Sequence, residues 1–194
     1  MTEDWTADMQ HSFEWVQAAL GIIVALGLTR IVSAIVLLHA MRRRVRLDWI
    51  PVAWAATIFL LLLQFSWVFV SLRDFVENWT FGLFLCLLGF VLTLFTAAAL
   101  VLPSSEAQAD ADLEAWFRRD GRWALPFLGL YALFSYGFNW YFGGSGPESN
   151  PASAIMIVLA AVAFWARPRW ARASAAAINL ALTVGIAVEM AHTG

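Results

Sequence analysis

Five polar side chains stand inside stretches otherwise built from apolar residues: Arg30, Gln64, Tyr131, Asn139 and Asn179. In a low-dielectric interior such groups are costly unless they are paired. Together they carry the donors and acceptors needed to hold an anion or orient a ligand. Gln64 repeats with Thr57 and Ser71 at every seventh position, Tyr131 is followed by Ser135 and Asn139 at successive turns, and Thr183 follows Asn179 one turn on. Each therefore lies on a polar stripe of a helix. Arg30 brings the only full charge to this set, and no carboxylate stands level with it along the chain. An unbalanced guanidinium calls for carbonyls, amides or water, or for an external anion such as a small carboxylate or an anionic lipid headgroup. The acids gather instead toward the opposite ends of the apolar stretches, at Glu14, Asp74, Glu77 and Glu189. If those ends meet, Glu189 and Asp74 form a site for a cation or a coupled proton. Ala173, Ala177, Ala181 and Gly185 precede Glu189 at every fourth position, a small-residue ribbon expected to pack closely against another helix.

Catalytic signatures are missing from the chain: it has no nucleophile elbow, no paired zinc histidines and no phosphate loop. An enzyme is not the expected class. His11 and His192 fall outside and His39 inside, so a bis-histidine haem could use only the outer pair near the two termini, and the single Cys86 can form no internal disulfide. No cofactor and no metal is implied.

The elements that must position the polar set are membrane spans. Hydrophobic residues make up 61% of the 194 and charged residues 13%, against about 25% charged in a soluble domain. Six apolar stretches, 13–39, 51–72, 80–102, 123–142, 152–166 and 171–190, approach the roughly 20 residues needed to cross a bilayer, the fifth being short. All twelve basic residues are arginines, and ten fall in three clusters between these stretches: Arg42, Arg43, Arg44 and Arg46, then Arg118, Arg119 and Arg122, then Arg167, Arg169 and Arg172. Placing the clusters in the cytoplasm predicts an all-α, polytopic bundle of six spans with both termini outside. The net charge of −2 leaves no basic face for nucleic acid. Trp49, Trp54, Trp116, Trp123, Trp165 and Trp170 fall at the inner boundary and Trp5, Trp15, Trp79 and Trp140 at the outer one, as aromatic belts do. Met1 to Gln10 has three acids and no arginine, so the first stretch does not read as a cleaved signal peptide.

Two connectors have character of their own. In the inner segment 104–120, Ser105 and Gln108 have capping-box spacing, and Leu113, Trp116 and Phe117 lie three to four apart, which predicts a helix lying on the inner membrane surface. The outer loop 143–151 is rich in glycine, serine and proline and reads as a connector.

The run Leu26-Gly27-Leu28-Thr29-Arg30-Ile31, with the run from Leu38 through His39-Ala40-Met41, the arginines 42–44 and Arg46 to Leu47-Asp48-Trp49-Ile50-Pro51, resembles small multi-pass bacterial membrane proteins of no established function. That resemblance implies a bundle in a bacterial inner membrane and carries over no functional residue.

The expected function is therefore that of a transporter-like or ligand- and lipid-binding membrane protein. It would have an outward-opening polar cavity, Arg30 as anion contact and Gln64, Tyr131, Asn139 and Asn179 orienting the ligand. The alternative is an accessory or assembly subunit, with Arg30 purely structural and Trp116 and Phe117 meeting a partner. Membrane lipids are the expected surroundings, with a second copy or another membrane protein as partner. The topology is directly testable: an enzyme reporter active only outside the cytoplasm should be active when fused after Gly194 and silent when fused after Leu47. The reverse pattern would invert the bundle.

Overall fold

The computed structural model describes residues 2–71, 80–105, 112–142 and 151–193, and among them it is all-helical. Seven α-helices follow in order: α1 (Thr2–Met41), α2 (Trp49–Ser71), α3 (Phe81–Leu100), α4 (Leu113–Arg119), α5 (Ala124–Phe142), α6 (Pro151–Trp165) and α7 (Arg169–Thr193), with a 3₁₀ turn at Gly121–Trp123 leading into α5. Four of them, α1, α2, α3 and α7, are long and apolar enough to cross a membrane. α5 has 19 residues but is interrupted by Tyr131, Ser135, Tyr136 and Asn139, and α6 has only 15. Their outer surfaces carry Ile22, Leu26, Val36, Trp67, Leu133, Val158 and Val188, apolar side chains suited to lipid.

α2, α3, α5, α6 and α7 close a ring, each packing on the next and α7 returning to α2. α1 stands outside the ring against α3 and α2. It crosses α2 closely because Gly27 has no side chain: a Cβ there would come within 3.0 Å of Leu62 Cδ1. The core runs through the ring wall and includes Trp54, Ile58 and Leu62 of α2, Val91 and Leu94 of α3, and Leu125 and Leu128 of α5.

The inner connector departs from expectation. Leu113, Trp116 and Phe117 are buried in the bundle rather than lying on a membrane surface, so Trp116 is a core residue and not part of a belt. Trp54 is likewise fully buried. The reason is space: α3 stops at Leu100 while α1 runs on to Met41, and α4 with its 3₁₀ turn packs beneath the shorter helices, touching α2, α3, α5 and α6. Asp112 starts α4 by accepting a hydrogen bond from Glu114 N at 3.0 Å. The exit turn needs glycine, since a Cβ on Gly121 would lie 2.6 Å from Phe117 Cδ2 and 2.7 Å from Trp116 Cζ3. The residues between Ser105 and Asp112, where the capping box was expected, lie outside the described residues.

An ionic latch closes this end. α7 begins with Arg169 and carries Arg172 in its first turn, where the helix dipole disfavours positive charge. Carboxylates from other elements offset this: Arg169 pairs with Asp48 and, through Nε at 3.4 Å, with Glu114, while Arg172 Nη2 donates to Glu114 Oε1 at 2.8 Å. Asp48 also caps α2, accepting from Ile50 N at 2.8 Å. One acid on α4 and one at the head of α2 thus fasten α7. Arg172 is buried, so Glu114→Gln strands a charge in the core and should destabilise the protein by about 3 kcal/mol, read from thermal unfolding in detergent. Arg43→Gln, at an exposed position, should change stability by less than about 0.5 kcal/mol.

Candidate functional site

The five polar residues singled out within the apolar stretches do not converge on one point. Arg30 faces α3, where its Nη2 donates to Leu102 O at 2.8 Å and to Ala99 O at 3.2 Å. These carbonyls belong to the last turn of α3 and the residue just past its cap, Val101. Carbonyls at a helix C-terminus have no intrahelical donor and gather partial negative charge, which suits a guanidinium. Pro103 follows and cannot continue the ladder. The counter-charge missing from the sequence is thus a helix end rather than a carboxylate. Arg30 is not among the residues that line the ring cavity described below.

Gln64 and Asn179 lie on the seam between α2 and α7. Gln64 Nε2 donates to Thr183 O at 2.8 Å, and Thr183 Oγ1 donates to Asn179 O at 2.8 Å. Asn179 is fully buried, and neither its Oδ1 nor its Nδ2 has a partner among the described residues. Thr57, on the same face of α2, turns its hydroxyl back to Ala53 O.

A cavity of about 340 Å³ occupies the half of the ring away from the arginine clusters, lined from all five ring helices. Its polar edge is made by Gln64, Tyr131, Ser135, Asn139 and Ser153 and its body by Phe65, Leu87, Phe90, Phe138 and Met156. Three of the five expected residues, Gln64, Tyr131 and Asn139, therefore meet here, and Arg30 and Asn179 do not. Aromatic packing holds the wall: Phe90 stacks on Tyr131 with centroids 4.6 Å apart and meets Phe65 at 5.3 Å. Ser135 and Ser153 approach across α5 and α6 with their hydroxyls 3.4 Å apart. Asn139 is exposed at the rim.

The expected cation pair is not assembled within the described residues. Glu189 is exposed on α7 and does not line the cavity, although its neighbours Ile186 and Met190 do, and Asp74 lies outside the described residues, as does Glu77. The ribbon ending at Glu189 also faces the other way from expectation. Ala177, Ala181 and Gly185 are exposed, and α7 buries Ala175, Ala176, Asn179 and Thr183 instead. Both faces are built from small residues, and the one that packs carries Asn179 and Thr183, where Gln64 of α2 donates to Thr183 O.

The sequence reading missed Ser153 and the apolar cavity wall, whose residues are indistinguishable from ordinary core, and the partners of the latch. Asp48 did carry a signal, an acid directly before a helix start with proline in the first turn.

Comparison with family models, with curated proteins and with solved structures finds no match to this chain. The geometry alone therefore carries the functional argument. For Arg30 it makes a clear demand: Arg30→Leu leaves two helix-end carbonyls without their donor and should cost about 2 to 4 kcal/mol in unfolding measurements. A variant as stable as the parent would show that the staple contributes nothing.

Proposed function

We propose that this chain is a six-span membrane protein with both termini outside the cytoplasm, and that it binds a small, uncharged amphipathic molecule, such as a short lipid-like chain with an amide or hydroxyl head, in the ring cavity. One observation carries the reading: an apolar space of about 340 Å³, walled by phenylalanines and a methionine, has its hydrogen-bonding groups gathered on a few side chains. Binding pockets for small molecules share that design, a mostly apolar enclosure with few polar groups that fix orientation. The amide of Asn139 and the hydroxyls of Tyr131, Ser135 and Ser153 offer both donors and acceptors to a head group, while Gln64 has its Nε2 engaged by Thr183 and keeps its carbonyl oxygen.

A charged ligand is a weaker match. Arg30, the residue expected to contact an anion, is engaged at the end of α3 and stands outside the cavity. Glu189, read as a coupling residue, does not line it either. Binding, rather than ion-coupled transport, is the function this arrangement supports. The assembly-subunit alternative accounts for a structural Arg30, but the side chains it assigned to a partner, Trp116 and Phe117, are buried in the chain's own core. The placement of the cavity in the outer leaflet follows from the arginine clusters at the opposite end, which the positive-inside rule puts in the cytoplasm of a bacterial inner membrane.

A series of straight-chain primary amides of increasing length, added to the purified protein in detergent, tests the proposal. Stabilisation should rise to an optimum length and then fall, reaching about 2.7 kcal/mol at a hundred times the dissociation constant. Ala152→Phe, which narrows the rim, should abolish the effect, and Gln64→Leu should weaken it. Equal stabilisation of the parent and Ala152→Phe would place the amides elsewhere and sink the reading.

A further inference from the structure

The second and third arginine clusters are separate in sequence, yet the fold brings them to one place. The hairpin of α5 and α6 returns the chain to its starting end, so that Arg118 and Arg119 at the end of α4, Arg122 in the 3₁₀ turn, Arg167 after α6 and Arg172 of α7 line a single cleft of about 970 Å³. No carboxylate among the described residues lines it. Two stand close by, and both are engaged: Asp120 pairs with Arg119 at 2.9 Å and Glu114 with Arg172 and Arg169. Arg118, Arg122 and Arg167 make no ion pair among the described residues. Arg172, buried in the wall, has an Nε without a hydrogen-bond partner among the described residues.

The positive-inside rule asks only that arginines lie on one side; it does not ask them to converge. The first cluster shows the difference, since Arg42, Arg43, Arg44 and Arg46 are exposed and line no part of this cleft. Convergence of like charges costs energy unless an anion is present to offset it. Aromatic rings complete the site: Trp123, Phe164 and Trp165 line it, with Arg122 held 5.4 Å from the Phe164 centroid and 6.0 Å from that of Trp123. Trp123 and Trp165 are largely exposed, as interfacial tryptophans at headgroup level are.

We propose that this cleft binds a phosphate group, with the guanidiniums of Arg118, Arg122 and Arg167 as direct donors. Planar guanidiniums match phosphate oxygens with paired, charge-assisted hydrogen bonds. Two sources share that chemistry, the headgroup of an anionic phospholipid and a free phosphate, and the flanking tryptophans favour the first. Basic pockets between helices on the cytoplasmic side are a recognised form of headgroup site. This site is independent of the ring cavity, which lies at the other end of the bundle.

The experiment follows thermal stability of the full chain in detergent as short-chain phosphatidylglycerol, phosphatidylcholine or inorganic phosphate is added, with ionic strength held constant by chloride. Phosphatidylglycerol should stabilise saturably and phosphatidylcholine should not. The double variant Arg122→Gln, Arg167→Gln should bind at least about tenfold more weakly. A control, Arg42→Gln, Arg43→Gln, removes the same charge from the same end and should bind as the parent does. Saturable stabilisation by inorganic phosphate, lost in the first variant only, would assign the site to a free phosphate. Equal weakening in both variants would reduce the effect to a general basic surface and overturn the proposal, as would the absence of any anion-specific stabilisation in the parent. Should the glutamine variant fail to fold, Arg122→Lys with Arg167→Lys keeps the charge and should still weaken binding, because a point charge cannot reproduce the fork.

Discussion

A helix that ends within an apolar bundle leaves carbonyls without intrahelical donors, and the end of α3 meets that problem with Arg30. Much of the arrangement follows from this one contact. α1 continues past the point where α3 stops, so a space opens below α3 that must be filled by something other than lipid. α4 and its 3₁₀ turn fill it with Leu113, Trp116 and Phe117. The guanidinium also fixes the relative height of α1 and α3, because its two acceptors lie 69 and 72 residues away in sequence.

Once α4 is tucked beneath the ring, its acid Glu114 lies within reach of α7, and the latch becomes available. Arginines that a topology argument assigns to the cytoplasmic surface then divide by environment. Arg169 and Arg172 are partnered by carboxylates, and the buried one helps decide where α7 begins. Arg118, Arg122 and Arg167 line a cleft without such partners among the described residues. The same residue type at the same end of the bundle thus meets three environments, an exposed surface, an ion-paired seam and an open cleft, separated only by what lies beside each side chain.

The far half of the ring has the opposite character. There the helices part around a space in which polar groups are few and aromatic rings hold the wall open. Gln64, Tyr131 and Asn139 were legible as polar breaks in apolar helices, because a lone amide or phenol in such a run is conspicuous. Phe65, Phe90 and Met156 were not, since an apolar residue lining a cavity and one filling a core have the same sequence signature. Asn179 was equally conspicuous and lies elsewhere, on the α2 and α7 seam, because a helical stripe gives a direction only relative to its own axis.

The sequence by itself determined the helical class, the apolar stretches and the grouping of charge at one set of their ends. These are local properties: apolar length, proline and glycine at boundaries, and arginine between spans need no knowledge of neighbours. Only the tertiary structure decided that Arg30 meets carbonyls instead of an anion, that Trp116 and Trp54 are core residues, and that the alanine ribbon of α7 faces outward. Each of those depends on how helices are rotated and how high they sit against one another. In an apolar medium hydropathy no longer distinguishes inside from outside, so rotation and height are set by pairwise packing and by a few polar contacts between residues far apart in the chain.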